Sequence, residues 1–390
     1  MTPQVCIAGW AHSPFGKHDA LDVEDLIRLV AQPALDDAGV EAAQVDAIFL
    51  GTFNNGLSPQ DFGAALVAMA VPALRHTPAT RLENACATGS AALHAAMHYI
   101  ESGAGKIALV LGVEKMTGVP NDKLIDVLRS GSYRKEEDRI DHGFAGVFGQ
   151  VASEYFAEHG DQSLALATIA AKNHRNGVHN PYAQFRRDLG VDFCNTVSDK
   201  NPLVAAPLRR TDCSLVSDGS AALVLVSGDV ARTLDKAIKF RSTVQVNDFL
   251  PLSLRKDHYF GGASQAWSKG LKEAGVGLFD LDLVETHDCF TIAEMLEYEA
   301  MGLTPRGKGW QAALDGTTAR EGKLPVNPSG GLKAKGHPLG ATGVSLHVMA
   351  AMQLMHAAGD MQIPNATLAG VFNMGGAAVA NYVSILERAR

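Results

Sequence analysis

The sequence repeats one strand–helix–strand pattern in its two halves, and this pattern limits the fold more than any other feature. Each copy has a short aliphatic run, an apolar stretch that opens with Ala-Thr-Gly, and a second aliphatic run. Such runs are typical of buried strands, and the stretches after Ala-Thr-Gly lack Pro and Gly for about three turns, as helices do. The order predicts a layered α/β fold formed by duplication of one βα unit, with chance similarity of a short string as the alternative. The pieces are residues 47–51, 87–89 and 107–112, then 283–286, 341–343 and 367–372.

Residues 117–206 differ from the rest of the chain. They carry charge clusters and several helical stretches but few strand-like runs, whereas further strands are predicted at residues 5–8, 221–227, 243–246 and 379–386. This contrast predicts an inserted lid. Within the lid, residues 172–187 contain basic residues and no acidic one, so the segment is either a solvated surface or a site for a phosphate-bearing ligand. The basic residues are Lys172, Arg175, Arg186 and Arg187.

Charge and cysteine content limit the partners and the compartment. The 34 basic and 42 acidic residues give a net charge of −8, which argues against nucleic acid or an anionic membrane surface as the main partner. The five cysteines form no Cys-x-x-Cys pair, so neither a disulfide framework nor a structural zinc site is expected. There is no run of 18 apolar residues, no basic amino-terminal signal region and no terminal Ser-Lys-Leu. We therefore expect a cytoplasmic protein.

One cysteine is placed where its chemistry could be used. Cys86 lies among small residues just before an apolar helix. The N–H groups at a helix N-terminus favour a thiolate, so we expect the pKa of Cys86 to be lowered from about 8.5. The alternative is a buried structural cysteine.

Two further segments could supply acid–base groups. His337 stands between Gly336 and Pro338 in a loop rich in glycine, and a histidine held in this way can take a proton from a thiol. His287-Asp288-Cys289 follows the predicted strand 283–286, where α/β sheets usually contact ligands. Alternatively, His337 is a turn residue, or the His-Asp-Cys segment binds metal. Adjacent side chains alternate in direction along a strand, so we expect no metal.

Taken together, these segments resemble the thiolase superfamily, and most closely its sterol-carrier-protein type. The resemblance covers nearly the whole chain and implies a five-layered αβαβα fold. It implies two similar halves, residues 1–232 with an inserted loop domain at about 117–206, and residues 233–390. The motifs are Cys-Ala-Thr-Gly-Ser from Cys86, Lys172-Asn173-His174, Asn180-Pro181, Ser217-Asp218-Gly219, His287-Asp288-Cys289-Phe290 and Gly336-His337-Pro338.

The resemblance also implies roles for the candidate residues. Cys86 would attack an acyl-CoA thioester after His337 takes its proton. Cys289 would be the second acid/base, in place of a cysteine that other thiolases carry in the last glycine-rich loop, which here reads Asn-Met-Gly-Gly at residues 373–376. His287 would help His337 hold the thioester oxygen, and the backbone N–H groups of Cys86 and Gly375 would form an oxyanion hole.

The implied activity is that of an acetyl-CoA acetyltransferase or 3-ketoacyl-CoA thiolase in lipid metabolism. CoA would be a substrate and product, with no permanently bound cofactor, and the basic residues of the lid would bind it. A homodimer or homotetramer is expected. Two alternatives stay open: a non-catalytic subunit that works with a small zinc-ribbon/OB-fold protein, and an acyltransferase that uses a carbon acceptor other than CoA.

Overall fold

The computed structural model describes residues 4–255 and 260–389. Each of the eight predicted strands is present, and three short strands were not predicted. The strands are β1 (Val5–His12), β2 (Ala47–Gly51), β3 (Ala79–Leu82), β4 (Ile107–Glu114), β5 (Leu203–Ala205), β6 (Leu208–Arg209), β7 (Gly219–Ser227), β8 (Ile238–Asn247), β9 (Leu283–Glu285), β10 (Leu368–Gly375) and β11 (Ala380–Arg388). The helices are α1 (Val23–Arg28), α2 (Ala31–Ala38), α3 (Leu66–Ala70), α4 (Thr88–Glu101), α5 (Asn121–Arg129), α6 (Arg134–Glu137), α7 (Phe144–His159), α8 (Ser163–Gly177), α9 (Gly190–Asn195), α10 (Gly228–Ala231), α11 (Gly261–Ala274), α12 (Thr291–Ala300), α13 (Gly309–Leu314), α14 (Gly331–Ala334) and α15 (Leu339–Leu354).

Strand pairing repeats between the two halves. In the first half, β2 is parallel to β4, β4 is antiparallel to β7, and β7 is antiparallel to β1. In the second half, β9, β10, β11 and β8 follow the same sequence of parallel, antiparallel and antiparallel pairs. The first half adds β3 at its edge, and a short β1–β8 pairing joins the two half-sheets in the order β3-β2-β4-β7-β1-β8-β11-β10-β9. The topology thus agrees with the predicted repetition of one βα unit.

The layers can be identified from neighbouring strand residues whose side chains pack on opposite faces of the sheet. On β7, Val224 packs with the core beneath α1 and α2, whereas Leu223 packs in the core that contains α4 and α15. On β11, Ser384 hydrogen-bonds His347 of α15, whereas its neighbour Val383 faces α11. Because successive strand residues point to opposite faces, α4 and α15 lie between the half-sheets, while α1 and α2 cover the outer face of the first and α11 that of the second. The order of layers is therefore helix, sheet, helix, sheet, helix, as expected.

The glycines of the two Ala-Thr-Gly strings explain how closely the central helices approach. A Cβ on Gly89 would lie 2.7 Å from the Val344 nitrogen and 2.9 Å from the Gly340 oxygen. A Cβ on Gly343 would lie 2.3 Å from the Ser90 nitrogen. Neither position can carry a side chain, so α4 and α15 cross with their first turns in contact. The loops that precede these two helices are therefore brought together.

The segment predicted as a lid, residues 117–206, contains helices α5 to α9 and strand β5, whose hairpin partner β6 follows just beyond its end. Helix α8 of this segment makes extensive contact with the second half, where it packs against α12, α13 and α14. A Cβ on Gly330 would lie 2.6 Å from the Cα of Gly177, so the backbones touch at this point. Among the described helices, none has the length and apolar character needed to cross a bilayer.

Candidate active site

Cys86 lies on a tight turn between β3 and α4. Ala85, just before it, adopts a left-handed φ of +49°, which is uncommon for a residue other than glycine. The turn is fixed because the Glu83 carboxylate accepts from the Ala85 N–H at 2.5 Å, and the Thr88 hydroxyl accepts from the Asn84 N–H at 2.8 Å. The Cys86 thiol is therefore presented by a constrained backbone just before α4, where the sequence predicted a helix to begin.

The structure brings the four predicted catalytic side chains together. The Cys86 sulfur and one ring nitrogen each of His287 and His337 all lie within 4.8 Å of one another. The two imidazole rings meet edge to face with centroids 4.9 Å apart. Cys289 lines the same pocket as Cys86 and His337. Side chains that are more than 200 positions apart in sequence therefore share one site.

Hydrogen bonds fix the tautomer of His337. Its Nδ1 lies 2.7 Å from the hydroxyl oxygen of Thr342, and that hydroxyl donates to the Pro338 carbonyl at 3.0 Å. Because the hydroxyl proton is used, the hydroxyl oxygen accepts from Nδ1–H. Nε2 of His337 therefore carries the lone pair, and it can accept a proton from Cys86.

His287 has the opposite tautomer, and Asn373 sets it. The Asn373 amide nitrogen donates to the Cys86 carbonyl at 3.2 Å, which fixes the orientation of the amide, and its oxygen accepts from Ser90 at 2.7 Å. The same nitrogen lies 2.8 Å from Nδ1 of His287, so Nδ1 must accept. The proton is then on Nε2, which is buried and has no hydrogen-bond partner among the described residues. His287 thus presents a free donor beside Cys86.

The resting site is neutral, which corrects the expected lowering of the Cys86 pKa. Burial raises the pKa of the Cys86 thiol to about 12, and the Glu114 carboxylate adds to the rise. The backbone N–H groups of Gly376 and of Cys86 itself oppose it. Burial also lowers the pKa of His337 to about 3. Loss of hydration outweighs the helix N-terminus at this position. Cys86 is therefore a thiol beside a neutral imidazole, and its proton must move when the thiol reacts.

Cys289 and the last glycine-rich loop complete the site. Burial raises the pKa of Cys289 well above its usual value, with the neighbouring Cys86 contributing, so this thiol holds its proton. Gly375 lies against the Cys86 turn, because its Cβ would be 2.5 Å from the Asn84 oxygen. The backbone N–H of the next residue, Gly376, acts on the Cys86 sulfur and opposes the rise of its pKa. The oxyanion role of Gly375 stays a prediction, and Gly376 is a donor that the sequence did not reveal.

An apolar pocket of about 330 Å³ opens onto Cys86. Its wall contains few polar side chains, among them Asn121 and His142. Many of the apolar side chains in the wall belong to the lid. Such a pocket can hold an aliphatic group next to the thiol. Apolar wall residues include Phe53, Leu124, Ile125, Phe144, Phe290 and Leu339.

The structure places the predicted basic residues outside this pocket. The ammonium of Lys172 is turned inward, with a side chain that is 10% exposed, and it pairs with the buried Glu294. This corrects the expectation that Lys172 meets a phosphate at the surface. Arg175 is exposed and pairs with Asp188, and Arg186 donates to the Val178 carbonyl. Arg187 is exposed.

Cys86, His287 and His337 also have the ligand types and proximity of a metal site. Binding through Nε2 of His287 would require the proton on Nδ1, where it would face the amide N–H of Asn373. Two donors cannot bond to each other, so the hydrogen-bond network opposes a metal ion here.

Comparisons with known proteins find similarity over nearly the whole chain. The model of the thiolase N-terminal domain matches residues 5–229, and that of the thiolase C-terminal domain-like family matches residues 245–388. The acetyl-CoA acetyltransferase of Methanothermobacter thermautotrophicus is 35% identical over 387 residues, covering 98% of this chain and 99% of the relative. Sterol carrier protein 2 of Oryctolagus cuniculus is 33% identical over 401 residues, covering 97% of this chain and 71% of the relative. The solved Ltp2-ChsH2(DUF35) aldolase has a similar fold, with a TM-score of 0.84 at 20% identity over 100% of this chain and 99% of that one.

Proposed function

Because this chain belongs to the thiolase family, we propose that it transfers acyl groups between CoA thioesters through an S-acyl-Cys86 intermediate. The reaction is 3-ketoacyl-CoA plus CoA to acyl-CoA plus acetyl-CoA, or the reverse condensation. The observation that supports it most is the pair of opposite tautomers beside one thiol, a base at His337 and a donor at His287. CoA is a substrate and product in this scheme.

In the first half-reaction, Nε2 of His337 takes the Cys86 proton as the sulfur attacks the 3-keto carbonyl. The new C–S bond places negative charge on the keto oxygen, where the unpartnered Nε2–H of His287 can donate to it. The bond between C2 and C3 then breaks, and Cys289 gives its proton to C2. Acetyl-CoA leaves, and the acyl group stays on Cys86.

In the second half-reaction, free CoA replaces the enzyme sulfur. The Cys289 thiolate takes the proton of the CoA thiol, whose sulfur attacks the acyl carbon. Collapse of this adduct releases acyl-CoA, and the Cys86 sulfur regains its proton from His337. Both protein thiols are then protonated, in agreement with their raised pKa values.

The apolar lining of the pocket favours an acyl group as the part of the substrate next to Cys86. We propose two halves at residues 1–232 and 233–390. Arg175, Arg186 and Arg187 are kept as candidates for the CoA phosphates, whereas Lys172 is withdrawn because its ammonium is paired inside. The alternative of a non-catalytic subunit with a zinc-ribbon/OB-fold partner is weakened by the intact thiols and imidazoles of the site.

Covalent labelling tests the proposal. We expect incubation with an acyl-CoA to add one acyl mass to the wild type and none to Cys86→Ala, with both proteins equally folded by circular dichroism. Cys213→Ala is the matched control, because Cys213 lines the same pocket but has no role in the scheme, and it should be labelled normally. Labelling that persists in Cys86→Ala would overturn the assignment. Tight CoA binding by the wild type without turnover of acetoacetyl-CoA would favour the non-catalytic alternative.

A further inference from the structure

A buried group of polar side chains lies directly behind the active site, and the reaction scheme does not use it. This node consists of Lys172, Asn173, Asp288 and Glu294, and the exposed fraction of its Asn and acidic residues is 0 to 1%. Asn173 belongs to the lid, Asp288 lies between His287 and Cys289, and Glu294 lies on α12. Three segments of the chain therefore meet at one point.

Asp288 joins the two segments that carry the acid–base groups. Its Oδ1 accepts from the N–H of Leu332 at 2.6 Å, and its Oδ2 accepts from the N–H of Lys333 at 3.1 Å. These N–H groups belong to α14, which leads within a few residues to His337. The carboxylate thus connects the turn of His287 and Cys289 to the loop of His337. A Cβ on Gly331 would lie 2.4 Å from Oδ2, so this contact depends on glycine.

Asn173 connects the lid to the same carboxylate. Its amide nitrogen donates to Asp288 at 2.8 Å and to Glu294 at 2.6 Å, so one amide bridges two carboxylates. Lys172, the preceding residue, pairs with Glu294 on its other oxygen. Lys172, one of the basic residues predicted to bind CoA, and its neighbour Asn173 therefore both make contacts inside the protein.

Burying the charged and polar side chains of the node costs free energy, unlike the burial of apolar side chains. Burial and the nearby Glu294 charge raise the pKa of Asp288 to about 7. In other proteins, buried charged groups can often be replaced by apolar side chains without loss of stability, so stability alone is a weak reason for such a node. The hydrogen bonds of Asp288 fix the position of the His287–Cys289 turn relative to α14. Apolar side chains could not do this, because they accept no hydrogen bonds.

We propose that Asn173 and Asp288 are positioning residues, which hold His287 and Cys289 in register with His337 through the α14 backbone. As a statement about catalysis, this rests on the proposed function. It assigns the lid a second task besides covering the pocket: a residue of α8 sets the geometry of a site formed by the other segments.

Kinetics of Asp288→Asn test the proposal, because the amide has the same shape but only one accepting oxygen. We expect kcat for acetoacetyl-CoA thiolysis to fall by about 10- to 100-fold, since displacements near 1 Å cost on this order, while KM changes by less than about threefold. If Asp288→Asn does not fold, Asn173→Ala replaces it, with an expected fall of about tenfold.

Asn201→Ala separates positioning from stability. Asn201 is also a fully buried asparagine of the lid, and its amide donates to three backbone carbonyls away from the site. It should lower the unfolding temperature by at least as much as the node variants and keep wild-type kcat. The proposal is overturned by a folded node variant with kcat within twofold of wild type, or by an equal loss of kcat in Asn201→Ala.

Alkylation of Cys86 by iodoacetamide gives a readout that needs no CoA. It depends on proton transfer from Cys86 to His337, so we expect both node variants to react about five- to tenfold more slowly than wild type at pH 7.5. A wild type that is alkylated but turns over no acyl-CoA would refute the proposed function alone. Unchanged alkylation in a folded node variant would refute the positioning role.

Discussion

Replacing Thr342 by valine should disable the base without altering the shape of the site. Thr342 is 2% exposed, and its hydroxyl holds Nδ1–H of His337 at 2.7 Å. Valine has nearly the same volume but cannot accept that hydrogen bond. The Pro338 carbonyl also loses a donor, yet it still accepts from the N–H groups of Ala341 and Thr342 at 3.0 Å each. The change therefore acts on the imidazole almost alone.

The size of the effect follows from the cost of an unsatisfied buried donor, which is about 1 to 3 kcal/mol. His337 can avoid this cost by moving its proton to Nε2, but in that tautomer Nε2 cannot accept the Cys86 proton. The reactive tautomer is then disfavoured by the same free energy. Since about 1.4 kcal/mol corresponds to a factor of ten, the rate of Cys86 acylation should fall by about 5- to 150-fold.

Stopped-flow acylation with acetoacetyl-CoA measures this rate directly, and ¹⁵N NMR of the histidine rings reports the tautomer. Thr342→Ser is the control, because it keeps the hydroxyl and should acylate within about threefold of wild type. If Thr342→Val is acylated at the wild-type rate with Nδ1 of His337 still protonated, the hydrogen-bond reasoning is wrong.

Two further predictions concern stability. Burial lowers the pKa of His94 to about 3, so this ring stays neutral in the folded protein, whereas the unfolded chain binds a proton below about pH 6.5. The wild type therefore keeps the full contribution of His94 to folding stability above about pH 6.5 and loses it progressively as the pH falls. His94→Phe has no such loss, so from pH 7.5 to pH 5 its free energy of unfolding, measured by urea titration, should rise by about 2 kcal/mol relative to that of the wild type. A difference between the two proteins that stays constant with pH would contradict this. Gly343→Ala places a Cβ 2.3 Å from the Ser90 nitrogen and 2.5 Å from the Asn373 oxygen, so it should lower the unfolding temperature and abolish thiolysis. In Gly261→Ala, the nearest atom among the described residues is an Asp248 carboxylate oxygen at 4.0 Å, so this control should change neither property in thermal scans and thiolysis assays. A thermally stable, active Gly343→Ala would disprove the tight crossing.

Much of the fold could be predicted from the sequence because its central strands are continuous aliphatic runs. Residues 107–114 and 219–227 are buried along their whole length, so both faces carry the signal. The edge strand β3 was missed because it is short and carries Thr80 and Arg81, with exposed residues at its start. Strand β3 nevertheless leads into the Cys86 turn.

The reactive groups of the site were predictable, but their supports were not. Cys86 and His337 lie among small residues, which is a local signal. Asn373 and Thr342 act through contacts with His287 and His337 whose geometry exists only in three dimensions. Neither residue is unusual in its sequence neighbourhood.

Two expectations failed because a pattern of residues does not specify burial. Lys172 and Arg175 lie on the same helix, but the first faces Glu294 inside the protein and the second faces solvent. A run of basic residues could not distinguish them. The Cys86 pKa was expected to fall because the helix N-terminus is visible in the sequence, whereas the loss of hydration that raises it is not.

The contact between Gly89 and Gly343 has a consequence for the origin of the site. An ancestral unit that acted as a pair of identical copies would have placed two equal loops at the axis between them. In this chain the two loops differ: the one before α4 carries the Cys86 sulfur, and the one before α15 carries the His337 imidazole. Two halves with the same strand pattern thus contribute different reactive groups at the crossing point of the helices.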